Sequence, residues 1–243
     1  MNRFLKYHIF GWIVICFVFW TNVHAEGPDT RLRSQFGITY KPLKTLDITA
    51  SYRLDISENL STFQRSNFEL GVGYSVLKWL EIESSYRFMT GYNKDSHRFK
   101  AGFSAKKNTT NKKFQFQWKS LINFNSNYLD RDYWKMEDPS WVFRNKFKME
   151  YNISKKLSVS VFTEMFLRLK NSESYFYRNR FGTSLDYEFK KRHSFSIGYY
   201  YQLEYNRKSP ENNNTFEVEY NFELKNKKKP KLKSDPTESY LFN

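Results

Sequence analysis

The chain has 243 residues, a formal charge of +15 from 40 Lys and Arg against 25 Asp and Glu, and a single cysteine. One cysteine excludes an internal disulfide. Past residue 20 no apolar run approaches the ~20 residues of a spanning helix, so any membrane crossing in the body of the chain has to be made by strands.

The chain opens with Arg3 and Lys6, an almost unbroken apolar run from Ile9 to Trp20, and the small-residue pattern Val23-His24-Ala25. This predicts a secretory signal peptide over 1–25, cleaved after Ala25, because its apolar core of about a dozen residues is too short to span. Cys16 lies within it, and losing Arg3 and Lys6 takes the charge from +15 to +13. An exported chain seldom meets nucleic acid, so the basic balance is not read as a nucleic-acid footprint.

From there the chain alternates. Leu32, Phe36, Ile38 and Tyr40 interleave with Arg31, Arg33, Gln35 and Thr39; after a turn, Leu46, Ile48, Ala50, Tyr52, Leu54 and Ile56 interleave with Asp47, Thr49, Ser51, Arg53 and Asp55. Period two over ten residues is a strand signal. The cycle continues through Phe68 to Tyr74, Leu80 to Phe88, Phe99 to Ala105, Phe114 to Phe124, Trp141 to Tyr151, Leu157 to Met165, Tyr177 to Tyr187, Phe195 to Leu203 and Phe216 to Leu224, which makes eleven predicted strands. KTLDITASYRL at 44–54 returns as KWLEIESSYRF at 78–88, a repeated hairpin half.

Short turns are predicted at 41–44, 75–78, 107–112, 152–156 and 188–192, and longer loops at 57–63, 90–96, 125–140, 169–175 and 205–214. Transmembrane barrels show this asymmetry, with tight turns on the periplasmic side. The expected fold is therefore all-β: a transmembrane antiparallel β-barrel of about 10 to 12 strands over 26–224, with short periplasmic turns and longer extracellular loops. A basic, disordered tail is expected over 225–243.

Three features turn the apolar row outward. The strands reach about ten residues, the length of a tilted spanning strand. Tyr40, Tyr74, Tyr151 and Tyr187 each stand on the apolar row just before a short turn, as an aromatic girdle requires. Eleven strands also carry more large rings than a small barrel can enclose. The other row holds Arg31, Arg33, Arg144, Lys146, Lys148, Arg178 and Arg180 with Glu164, Glu204, Glu217 and Glu219. Each basic residue would cost roughly 2 to 4 kcal/mol at a bilayer midplane, which assigns this row to a polar lumen. A packed lattice of ion pairs and a water-filled pore both fit it. An odd strand count closes with a parallel seam, where Arg31 and Arg33 on the first strand would meet Glu217, Glu219 and Glu223 on the last; a strand outside the barrel, or a twelfth within 125–140 or near Tyr240, are the alternatives.

RNKFKMEYNISKKLSVSVFTEMF, 144–166, and RNRFGTSLDYEFKKRHSFSIGYYYQLE, 178–204, together resemble a bacterial family of outer-membrane proteins, domain of unknown function 2490. The resemblance rests on a basic strand, a short turn, a strand with an inward Glu164, an Arg178-x-Arg180-x-Gly182 strand and a Tyr-rich strand. It implies a β-barrel in a Gram-negative outer membrane and assigns no activity.

No catalytic, cofactor or metal residues are expected. His97 and His193 begin strands at opposite ends, and there is no Gly-x-Ser-x-Gly elbow. The loop carboxylates Glu58, Asp95, Asp130, Asp132, Glu137 and Asp138 are diluted by Lys94 and Lys135 and read as solvated charge. Tyr128, Tyr133, Trp134 and Trp141 in the longest predicted loop read as an outer girdle, with a lid or sugar-stacking surface as the alternative. Expected partners are outer-membrane lipids and the barrel-assembly machinery, since Phe222 in EVEYNF resembles an aromatic-ended assembly signal. The expected role is structural or surface-interacting, with a porin-like channel, and less so a lipid-modifying enzyme, as alternatives.

Overall fold

Alternating side chains place one row on each face of an extended chain, and hairpin turns then lay successive strands side by side. The computed structural model describes residues 28–91, 95–128, 136–169, 174–206 and 210–224, with backbone alone at 127–128 and 136–140. The predicted signal segment, the lysine-rich tail, Lys94 and the loop centre with Asp130, Asp132, Tyr133, Trp134 and Lys135 lie outside these residues.

Eleven strands follow in order: β1 (Asp29–Leu43), β2 (Leu46–Ser57), β3 (Thr62–Leu77), β4 (Leu80–Gly91), β5 (Asp95–Asn108), β6 (Phe114–Tyr128), β7 (Met136–Asn152), β8 (Leu157–Leu169), β9 (Tyr175–Lys190), β10 (His193–Glu204) and β11 (Asn213–Glu223). Each pairs antiparallel with its sequence neighbours, and β1 pairs parallel with β11 from Asp29↔Asn213 to Thr39↔Glu223, which closes the barrel. The sheet is thus mixed at a single seam. Among the described residues no twelfth strand is present, and within the stretch predicted as loop 125–140, residues 125–128 extend β6 and 136–140 extend β7.

One rim, here the turn rim, carries the connections at 44–45, 78–79, 109–113, 153–156 and 191–192. The opposite loop rim carries those at 58–61, 92–94, 129–135, 170–174 and 205–212. The predicted long loop at 57–63 is therefore tight. At 58–61 the chain turns through three successive left-handed residues, Glu58, Asn59 and Leu60, with φ of 52°, 55° and 68°. Side chains rarely adopt that region unless held. Here the Asn59 amide donates to Asp29 Oδ1 at 2.9 Å and the Leu60 amide to the Thr30 carbonyl at 3.2 Å, which ties the start of β1 to this turn.

The two faces invert the usual order of a water-soluble domain. Phe36, Leu70, Ile82, Phe99, Phe116, Val161 and Ile197 on the outer row are exposed, whereas Arg53, Asp55, Asn67, Lys100, Asn123, Glu164 and Glu204 on the inner row are buried. One residue departs from the sequence reading. Tyr177, expected on the outer row, is inside at 6% exposure. A bulge between Phe166 and Leu167 pairs Phe166 with Arg178 and Leu167 with Phe176, so Phe176 turns outward and Tyr177 joins Arg178 within.

Candidate functional site: the barrel lumen

The inner row is sorted along the barrel axis. Towards the loop rim it is dominated by arginine: Arg33, Arg53, Arg65, Arg87, Arg98, Arg144, Arg168, Arg178 and Arg180. Towards the turn rim carboxylates prevail, with Asp47, Glu81, Glu83, Glu150, Asp186, Glu188, Glu219 and Glu223. The strands bring both sets together because each contributes one inward side chain every second residue.

Three of the carboxylates among the arginines, Asp55, Glu69 and Glu164, each serve more than one cation. Asp55 accepts from Arg33 at 3.0 Å, Arg53 at 3.1 Å and Arg65 at 2.8 Å. Glu69 accepts from Arg87 and Lys100. Glu164 accepts from Arg144 and, at 3.5 Å, from Arg180, while Glu204 takes Arg178 at 2.5 Å. Such charge-assisted bonds are the strong members of their class, and their burial raises the cost of breaking one.

Aromatic rings fill the gaps in this half, a feature that alternation alone did not reveal. Phe162, Phe166 and Tyr200 point inward among the charges, joined by Tyr177 from the bulge. Arg144, Arg180 and Arg178 lie 5.0, 4.8 and 5.6 Å from the Phe166 ring centre. Arg180 and Arg33 flank Tyr200 at 4.9 and 5.5 Å, and Arg168 and Arg178 flank Tyr177 at 4.9 and 5.2 Å. The attraction of a guanidinium to a ring's quadrupole offsets part of the cost of desolvating the charge. With Val142, Leu121 and Met89 also buried, the loop-rim half of the lumen is packed. The available signal was a large apolar residue in phase with charges, as Phe166 is between Glu164 and Arg168.

The other half is open. A vestibule of about 690 Å³ at the turn rim is bounded by Asp47, Glu69, Glu83, Lys119, Glu219 and Glu223, and a smaller recess of about 150 Å³ adjoins it beside Glu81 and Gly73. Lys119 reaches Glu83 at 2.5 Å and Lys41 reaches Glu223 at 3.1 Å.

The residues singled out from sequence distribute as follows. Arg33 meets Glu217 across the seam at 2.6 Å, whereas Arg31 turns to Asp29 at 2.5 Å and Glu211 at 3.2 Å. Glu219 accepts from the Gln35 amide at 3.0 Å. Lys148 bridges Glu150 at 2.9 Å and Asp186 at 3.7 Å, while the Lys146 ammonium sits 3.9 Å from the Phe162 ring centre. Tyr40, Tyr74, Tyr151 and Tyr187 are exposed on the outer face near the turn rim. His97 contacts the Tyr86 hydroxyl and His193 the Tyr220 hydroxyl, on strands β5 and β10 at opposite rims. Among the described residues no three His, Asp or Glu side chains converge at metal-ligand spacing.

Fold and site together define an up-and-down β-barrel of eleven strands with an ion-paired interior. The chain belongs to the family described as "Protein of unknown function (DUF2490)", whose profile matches residues 36–214, from within β1 to the start of β11. Comparison with curated proteins finds no match.

Proposed function

We propose that this protein is an outer-membrane β-barrel with a structural or surface-interaction role, its lumen closed by ion pairs and packed rings instead of conducting. The carrying observation is the packed half of the interior, where Phe166 at 4% exposure is enclosed by Arg144, Arg178 and Arg180. The exposed outer row supports the membrane assignment, because in water that apolar area would stay hydrated at roughly 25 cal/mol per Å² of forgone burial. In hydrocarbon it is solvated, and the closed barrel leaves no sheet edge unpaired. On this reading the turn rim faces the periplasm, export proceeds through the signal segment at 1–25, and the immediate partners are membrane lipids and the assembly machinery. Each His is engaged by a Tyr at its own rim, which favours an interfacial role over lipid hydrolysis.

The vestibule favours one second reading, a small-solute channel that opens when the arginine layer moves. Planar-bilayer recording separates the two. Reconstituted protein should give no unitary steps in symmetric salt, and steady conductance abolished by neutralising Arg144 or Lys148 would replace the closed reading with the channel.

A further inference from the structure

The outer face is not uniformly convex. Across β5 to β8, near the turn rim, a groove of about 920 Å³ is lined by Trp79, Ala105, Phe116, Phe147, Met149 and Val161, with Lys107 among its lining residues. Its shape follows from the pairing. Ala105 faces Trp118, and Thr163 faces Phe147, so small side chains stand beside large ones on adjacent strands. Trp118 and Phe147 stack with ring centres 6.0 Å apart and planes within 5°, and Phe103 packs edge-on against Trp118 at 5.1 Å. These rings form a wall on the side away from the turns. On the other side Lys107 is the next outward residue after Ala105, and the adjoining turns add exposed Lys78, Lys112, Lys113, Lys155 and Lys156.

The groove is thus apolar along its length and cationic at the end nearest the turn rim. That polarity matches an amphiphile with one acyl chain along the wall and an anionic headgroup at the rim. We infer that the groove is a binding site for an anionic phospholipid of the turn-rim leaflet, its acyl chain against Phe116, Phe147 and Met149 and its phosphate against Lys107. The inference rests on the membrane reading above. It goes further in naming a headgroup charge and one place on the wall where the lipid is held.

The test uses Trp118 as its reporter. In the full chain, Trp12, Trp20, Trp79, Trp134 and Trp141 become Phe, and the protein is reconstituted in phosphatidylcholine vesicles with a low fraction of lipid brominated on its acyl chains. Brominated phosphatidylglycerol should quench Trp118 with an apparent association about fivefold above brominated phosphatidylcholine, equivalent to about 1 kcal/mol for one lysine at an anionic surface. Lys107→Gln should lower that ratio several-fold, leaving only the general enrichment given by the turn lysines, and Ala105→Phe, which fills the groove, should lower it likewise. Equal quenching by both headgroups in the parent overturns the site while leaving the membrane reading intact. If neither lipid quenches Trp118, a second reporter decides: Ile197→Trp in a Trp118→Phe background. Quenching there means that another copy or chain covers the groove, which also overturns the site. Silence at both positions sinks the membrane reading itself.

Discussion

Glu164 is the residue whose loss the barrel should feel most. It is 4% exposed, accepts from Arg144 and Arg180, and is paired in register with Lys146 on the neighbouring strand. Glu164→Gln keeps the size and one acceptor but removes the only carboxylate that either arginine reaches within 4.0 Å among the described residues. Breaking a buried pair from one side costs about 3 to 5 kcal/mol, because the remaining charges stay buried without a counter-ion. Allowing for the retained amide acceptor and for the Arg180 bond to Gln202 at 2.8 Å, about 3 kcal/mol is expected. Equilibrium urea unfolding of vesicle-embedded protein, followed by tryptophan fluorescence, measures it. Glu188→Gln, exposed and without an ion pair among the described residues, should stay within about 0.5 kcal/mol of the parent. Replacing both Glu164 and Arg144 by Met should cost less than Glu164→Met alone, since no orphaned Arg144 charge remains. A Glu164→Gln loss below about 1 kcal/mol would show that water already screens this cluster, and the packed-lumen account would fail.

Other perturbations probe the remaining parts. Phe166→Ala should destabilise by about 3 to 5 kcal/mol and introduce conductance in planar bilayers, because it removes the ring shared by three arginines; a destabilised yet silent barrel would mean that another element seals the lumen. Gly102→Ala should cost about 1 to 3 kcal/mol, since its Cβ would fall 2.0 Å from the Ser120 carbonyl oxygen. Gly198→Ala, whose nearest atom is at 3.5 Å, should be nearly neutral, and equal melting temperatures for the two would refute the close-approach argument. Ile197→Arg, on the outer row, should cost roughly 2 to 4 kcal/mol in a bilayer and lower the yield of the heat-modifiable folded band on gels; unchanged folding yield would contradict a lipid-facing Ile197.

The phase of the strands was legible because alternation is a local property. In β2 and β10 every apolar residue of the predicted set sits on the outer row, and the short turns mark where the chain reverses. The seam was not legible in the same way. Parallel pairing of β1 with β11 joins Arg33 to Glu217, residues almost a chain length apart, and no local pattern encodes it. The hints were the parity of the strand count and the charge match of Arg31 and Arg33 on the first strand with Glu217, Glu219 and Glu223 on the last. The bulge at Phe166/Leu167 escaped for a related reason: it depends on two strands together, and a strict two-residue count carries Tyr177 to the wrong face. Within the site, pairs such as Arg178 with Glu204 follow from strand adjacency. The inward rings did not, because a rule that sends apolar side chains outward has no place for Phe162 or Tyr200 among arginines.

The seam carries a further consequence. A thread drawn an odd number of times through cloth leaves its two ends on different sides, and eleven strands do the same here: the chain enters β1 at the loop rim and leaves β11 at the turn rim. In a bilayer, a probe attached ahead of Asp29 and one attached after Leu224 would report from different compartments. Barrels with even strand counts deny themselves that arrangement.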